Sequence, residues 1–386
     1  MSSQFDIGLS AKSKEKDHIL IGSIVLLIGF GLVTLYSASY SPSQRLFKDG
    51  LVLISRQLQW GALGFVLFLL SAFVINLQTI RSLIIYFIFI SIVLCILTFV
   101  PGIGIEKNGA ARWIGKGSLT FQPSELVKIV LPFYLAHILD KKKDKLNVFV
   151  KGIVSPALIP PTLIIGIFCA LIIRQNNFST ALFVVVNSLV ILFLAGIKLR
   201  YFIGVPVVLL PLAVFLVQGK PHRLDRFLSF INPTDPLGSN YQVNRAMQAI
   251  SSGGFWGRGI GQGTLKVSGV PEVHSDFIFS AFSEEAGFLG VVLFCILFAV
   301  FAFRGYRASM RNESSFYRLL GFGLVTMIVS QALLNIAVTV GALPPTGVPL
   351  PFVSAGGSSL VVTMIMAGLI INISRFSKKH SIAEDI

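Results

Sequence analysis

The chain has 386 residues, of which 54% are hydrophobic and only 13% charged, with a formal net charge of +15. Its mean hydropathy is +0.80. A water-soluble domain of this length needs more charge to cover its surface, so composition excludes that class. The positive charge does not indicate nucleic-acid binding, because its distribution follows membrane topology.

Apolar residues fall in blocks of about 20, the length that crosses ~30 Å of hydrocarbon as a helix. Ten such blocks occur in chain order: 18–38, 57–75, 81–100, 122–139, 153–173, 178–196, 201–217, 276–303, 317–343 and 353–375. Backbone facing lipid must satisfy its hydrogen bonds internally, and these blocks do not alternate in hydrophobicity, so the prediction is an all-α, polytopic bundle rather than a barrel. Residues 1–17 and 376–386 are expected to be tails, with 18–375 one transmembrane domain. The first block is long enough to remain as an anchor, and no cleavable signal is evident. With the N-terminus inside, 18 cations lie on the inner side. Seven lie on the outer side once the loop 218–275 is set aside. The positive-inside rule then places both termini in the cytoplasm. Cys95, Cys169 and Cys295 lie inside spans and read as packing residues.

Three outer segments are longer than the rest: the Ser-rich 39–56, the Gly-rich 101–121, and 218–275, between the seventh and eighth spans. Loops of that last length without structure of their own are usually functional or disordered. This one holds too many aromatic and branched residues for disorder, so short amphipathic helices at the interface are expected.

Its first half carries Arg223 among aromatic residues, which suits anionic membrane lipids. Its second half, Ser252-Gly-Gly-Phe-Trp-Gly-Arg258-Gly-Ile-Gly-Gln-Gly-Thr-Leu-Lys266, combines glycines with Arg258 and Lys266. Exposed N–H groups and cations of this kind can cradle an anion. The stretch Pro271-Glu-Val-His-Ser-Asp276 then opens a span that carries Glu284 and Glu285. Acids in a membrane are costly and mark functional candidates. On a helix beginning at Asp276, Glu284 lies about 80° and Glu285 about 180° around, so the three cannot share one face. Asp276, at the wet end, is the candidate for chemistry, and at least one glutamate is a structural acid. His274 and Asp276 lack a third ligand for zinc. A hard cation, Mg or Mn, held between Asp276 and a phosphate fits better.

Glu125 and Lys128 are three residues apart at the start of another span, close enough to neutralise each other, and either form a structural ion pair or line a cavity. Gln331 and Asn335, four apart in a later span, read as glue between helices. The uncharged, proline-rich 343–358 has the rigidity of a re-entrant segment.

Taken together, these motifs resemble the SEDS family, which contains RodA and FtsW. The matching elements are Asn108-Gly-Ala-Ala-Arg112-Trp113, Phe121-Gln-Pro-Ser-Glu125 with Lys128, the glycine run 253–263, Pro271 to Phe279 with Glu284 and Glu285, and Pro349-Leu-Pro-Phe-Val-Ser354-Ala-Gly-Gly-Ser358. The resemblance covers residues 18–375. It implies a peptidoglycan glycosyltransferase that polymerises lipid II at the outer face of the bacterial cytoplasmic membrane, working with a class B penicillin-binding protein. It implies that Asp276 is the catalytic carboxylate, placed to act as a general base. Arg258, Lys266, Arg223, His274, Arg112 and Ser354 are the residues expected to meet substrate. Lys266, Asn108-Gly and Ser358-Ser359 match the division-type, FtsW-like branch better than the RodA-like one. The chain departs from the family at Asn176 and Asn177, where a proline and an acid are common, and at Ala355 and Ala111. The competing functions are a flippase or transporter of lipid-linked precursors and a non-catalytic scaffold for a partner synthase.

Overall fold

A computed structural model describes residues 17–107, 109–116, 119–146, 155–199, 239–264 and 273–376, with isolated positions between 201 and 230. The described chain is helical apart from one small sheet. Helix α1 spans His18–Phe47, α2 Val52–Leu69, α3 Leu77–Leu97 and α4 Pro123–Lys141. Then come α5 (Ile159–Arg174), α6 (Phe178–Leu194), α7 (Ser239–Gly253), α8 (Ile278–Met310), α9 (Ser315–Thr339) and α10 (Gly357–Ser374). Seven helical segments among the described residues are long and apolar enough to cross a membrane; α6, equally apolar, has 17 residues. Nine of the ten sequence-predicted spans coincide with helices, and the tenth, 201–217, lies largely outside the described residues.

Two of the three outer loops differ from expectation. The segment 39–56 is not a loop: α1 runs on to Phe47 and α2 begins at Val52. Its Ser-rich composition misled because Ser39 and Ser43 are buried, and Ser43 Oγ donates to the carbonyl of Asp49. The segment 101–121 is an antiparallel sheet of β1 (Gly104–Lys107), β2 (Ala110–Lys116) and β3 (Leu119–Phe121). Lys107 pairs with Ala110 across a two-residue connection in which Gly109 has φ +72°. Asn-Gly is a strong sequence signal for such a turn, so the hairpin was legible there. The third loop, 218–275, lies mostly outside the described residues, but its α7 buries Val243, Ala246 and Ala249 along one stripe, an amphipathic pattern.

Polar residues join the helices where apolar contact against lipid gives little preference. The most enclosed helix is α10, 89% buried over its apolar window. It packs on α2, whose last turn, Leu70–Val74, is a π-helix. Asn372 Nδ2 donates to the carbonyls of Ser71 and Ile75, both at 2.8 Å. Those are groups that the altered turn would otherwise leave unsatisfied in hydrocarbon. At the opposite end from the site described below, Asp17 caps α1 and pairs with Arg304 of α8 at 2.7 Å. Exposed apolar residues such as Ile85 and Phe89 of α3 form the lipid-facing surface.

Candidate functional site

Consecutive spans run antiparallel, so α2, α4, α6, α8 and α10 all begin at the same end of the bundle. Residues in and just before the opening turns of these helices enclose a cavity of about 360 Å³. From α2 it takes Arg56, Gln57 and Trp60, from α4 Glu125 and Lys128, and from α6 Thr180, with Asn177 just before it. From the approach to α8 come His274, Ser275 and Asp276; from the approach to and start of α10, residues 355–359. Arg112 and Trp113 of β2 close one side. A helix N-terminus carries about half a positive charge and unpaired N–H groups. Five of them, with Arg56 and Arg112, bring positive charge to this end of the protein, while the charge of Lys128 is met by Glu125.

Lys128 is 1% exposed. Its Nζ contacts Glu125 Oε1 at 2.7 Å and donates to Gln331 Oε1 at 2.9 Å. The ion pair expected from the spacing is formed, and both residues line the cavity. Glu125 Oε2 is buried and has no hydrogen-bond partner among the described residues.

The half-buried Asp276 stands just ahead of α8. Its carbonyl accepts from Asn335 Nδ2 of α9 at 2.8 Å, and the same nitrogen donates to the carbonyl of Val348 at 2.9 Å. One turn earlier on α9, Gln331 Nε2 donates to the carbonyl of Pro349 at 2.9 Å. The segment 343–356 connects α9 to α10 with Val348, Leu350, Phe352 and Val353 buried.

Ser354 does not present its hydroxyl to the cavity. Its Oγ donates to the carbonyl of Ser275 at 2.6 Å and accepts from the N–H of Leu350 at 2.8 Å. The N–H of Ala355 donates to the carbonyl of His274 at 2.8 Å. Gln57 grips the same segment, donating to the carbonyl of Ser354 and accepting from the N–H of Gly356, both at 3.2 Å. Ser354 is thus a positioning residue for 274–276 rather than the substrate contact expected. Arg112 donates to the carbonyls of Gln175 and Asn176 while lining the cavity. Asn176 has φ +57°, a left-handed conformation that asparagine tolerates, and its Nδ2 donates to the carbonyl of Gly109.

Arg258 and the glycine run behave differently from the anion cradle expected. The N–H groups of Arg258 and Gly259 donate to the carbonyls of Glu284 and Glu285, both at 3.0 Å, and that of Phe288 donates to the carbonyl of Gly254 at 2.9 Å. At the centre of this clasp Gly287, with φ +64°, breaks the helical backbone of α8. A Cβ on Gly257 would lie 2.2 Å from the carbonyl oxygen of Glu285. The glycines here admit another backbone. Glu284 Oε1 accepts from the N–H of Thr264 at 2.8 Å and lies 3.7 Å from Arg258 Nη1, and Glu285 Oε1 accepts from Ser37 Oγ of α1 at 2.6 Å. Both glutamates are structural acids pointing to different neighbours, in keeping with their angular separation. None of these three residues lines the cavity. Arg223 and Lys266 lie outside the described residues.

Arg56, Gln57 and Trp60 are the cavity residues that sequence reasoning passed over. Arg56 falls at the end of the segment 39–56 expected as a loop, while Gln57 and Trp60 fall inside the expected span 57–75, where local sequence does not distinguish them from packing residues. Among the described residues no three His, Cys, Asp or Glu side chains gather as a metal cluster. The carboxylates of the cavity are Asp276 and Glu125.

Fold and site define a multi-pass membrane protein with a polar, cation-lined cavity at one end of its bundle. The family model described as cell cycle protein, which covers FtsW, RodA and SpoVE, matches residues 17–379, and the chain belongs to that family. It is 37% identical over 359 residues to the FtsW protein of Geobacter sp. (strain M18), named a probable peptidoglycan glycosyltransferase, with 93% of this chain and 96% of that one covered. It is 34% identical over 373 residues to stage V sporulation protein E of Bacillus subtilis (strain 168), covering 96% and 100%. Among solved structures, one concerned with the structural coordination of polymerization and crosslinking by a peptidoglycan synthase complex aligns with TM-score 0.76 at 28% identity, covering 93% and 98%. The Rod shape determining protein RodA of Thermus thermophilus aligns with TM-score 0.67 at 27% identity, covering 95% and 98%. Within the family the likeness is to the FtsW-like branch.

Proposed function

We propose that this protein is a peptidoglycan glycosyltransferase that polymerises lipid II at the outer face of the cytoplasmic membrane, with Asp276 as general base. The observation that carries the reading is the meeting of five helix N-termini, Arg56 and Arg112 around the cavity that holds Asp276. An anionic leaving group is what such an environment suits. The cation asymmetry of the loops supports an outward-facing position for this end, with both termini in the cytoplasm.

In the proposed step the 4-hydroxyl of the acceptor sugar gives its proton to the Asp276 carboxylate. Its oxygen forms a bond to the anomeric carbon of the donor. The bond from that carbon to the lipid pyrophosphate breaks, and the pyrophosphate leaves with the electron pair. A positioned base contributes typically ~10²–10⁴-fold. Fixed cations and helix dipoles meet the growing negative charge without reorganising. A single displacement on an α-linked donor gives a β-linked product. A divalent cation, Mg or Mn, would supply further charge neutralisation at the pyrophosphate; Asp276 would hold it, and one carboxylate with substrate oxygens is a donor set magnesium accepts. The partner in crosslinking is a class B penicillin-binding protein, a reading supported by the likeness to a synthase complex that couples polymerization and crosslinking.

The test is glycan-chain formation from lipid II by purified protein with its partner. The wild type should give polymer, and Asp276→Asn should fall to near background while remaining folded. Near-normal chains from Asp276→Asn would remove the base assignment. Failure of the wild type to make polymer with any partner would favour the flippase or scaffold readings.

A further inference from the structure

We infer that Asn335 and Gln331, two buried amides one turn apart on α9, are positioning residues that set where the Asp276 carboxylate stands in the cavity. The inference rests on Asp276 being the general base. Both side chains are 1% exposed. Asn335 Nδ2 bridges the carbonyls of Asp276 and Val348 at 2.8 and 2.9 Å, binding the entry of α8 to the re-entrant segment with a single nitrogen. Gln331 Nε2 holds the next carbonyl, that of Pro349, at 2.9 Å. The residue preceding this pair of carbonyls is Gly347, and a Cβ there would lie 3.5 Å from Asp276 Oδ2. The carboxylate therefore lies beside a backbone whose own position α9 dictates.

Helix glue alone does not account for this arrangement. An amide that only joins helices needs one partner on another helix. Here both nitrogens bind non-helical carbonyls beside the acid. The other end of Gln331 accepts from Lys128 Nζ at 2.9 Å, so the Glu125–Lys128 pair and the Asp276 segment are referred to one rigid turn of α9. A general base must meet its proton within hydrogen-bond reach, and a misplacement of about 1 Å can cost roughly 10²-fold in rate. Prolines at 344, 345, 349 and 351 stiffen the segment internally without fixing its distance from α8. The two amides do that.

The experiment compares wild type, Asn335→Ala, Gln331→Met and Asp276→Asn as purified full-length protein with its partner, using lipid II. Each variant's melting temperature, kcat, KM for lipid II and pH–rate profile are measured. Folded Asn335→Ala should lose about 10- to 100-fold in kcat. Its KM should stay within about twofold, and the acid limb of its pH–rate profile should move, because the carboxylate is no longer held in the same surroundings. Gln331→Met should show a smaller loss of the same kind, and carries the test by itself if Asn335→Ala does not accumulate as folded protein. Wild-type kcat in a folded variant overturns the inference. So does a loss that appears only in KM, or only in melting temperature with an unmoved pH profile. If instead Asp276→Asn retains activity, the base assignment has failed, whatever the amide variants do.

Discussion

Gly347 lies directly against the Asp276 carboxylate: a Cβ on it would sit 3.5 Å from Oδ2, an ordinary van der Waals distance, yet its φ of +71° is one that L side chains seldom adopt. The space tolerates a methyl group, and the backbone does not. Forcing a left-handed conformation costs ~1–2 kcal/mol. The segment should relieve that strain by shifting beside the acid. Gly347→Ala should therefore slow polymerisation by about tenfold or more with only a small fall in melting temperature. Wild-type turnover in a variant with an unchanged melting temperature would show that the segment is free to move without consequence.

The Glu125–Lys128 pair is buried on both sides, with side chains 6% and 2% exposed. Removing one partner of such a pair typically costs ~3–5 kcal/mol, because the other charge is left uncompensated. Lys128→Met should lower thermal stability more than Lys128→Met combined with Glu125→Gln. Equal melting temperatures for the single and double variants would mean that the two do not stabilise each other.

The arginines divide into two groups that a common assay should separate. Arg56 and Arg112 line the cavity, so Arg56→Gln and Arg112→Gln should weaken turnover most at limiting lipid II. Arg258 instead faces Glu284, which is fully buried. Arg258→Gln should lower the melting temperature and leave the KM for lipid II close to wild type. A raised KM in Arg258→Gln at unchanged stability would return that residue to the substrate site.

Reporter fusions measure which side of the membrane the cavity faces. Fusions at Lys143 and Arg307 should report the cytoplasm. Fusions at Gly102, beside the sheet, and at Thr234 should report the exterior. A cytoplasmic signal at Gly102 would place the cavity on the wrong face for an extracytoplasmic polymerase.

Much of the architecture is determined by composition and spacing alone, because a span must be apolar for about 20 residues and its flanks must obey the charge asymmetry of the membrane. That is why nine spans were located, and why Asp276, Glu125 and Lys128 could be marked as costly and therefore meaningful. The same local rules failed where polar residues sit inside helices. Ser39 and Ser43 made the end of α1 look like a loop, and Arg56 was lost with it. What only the tertiary structure decided is which polar groups share one space. Arg258, expected to meet substrate, pairs instead with the structural acid Glu284 away from the cavity. Ser354 was read as a substrate contact and holds the backbone of Ser275. Gln331 and Asn335 were read as glue and reach the segment beside Asp276. Each of these outcomes depends on which helix packs against which, a matter of contacts between residues up to some 300 positions apart in the chain. The local periodicity of a sequence carries no record of those contacts.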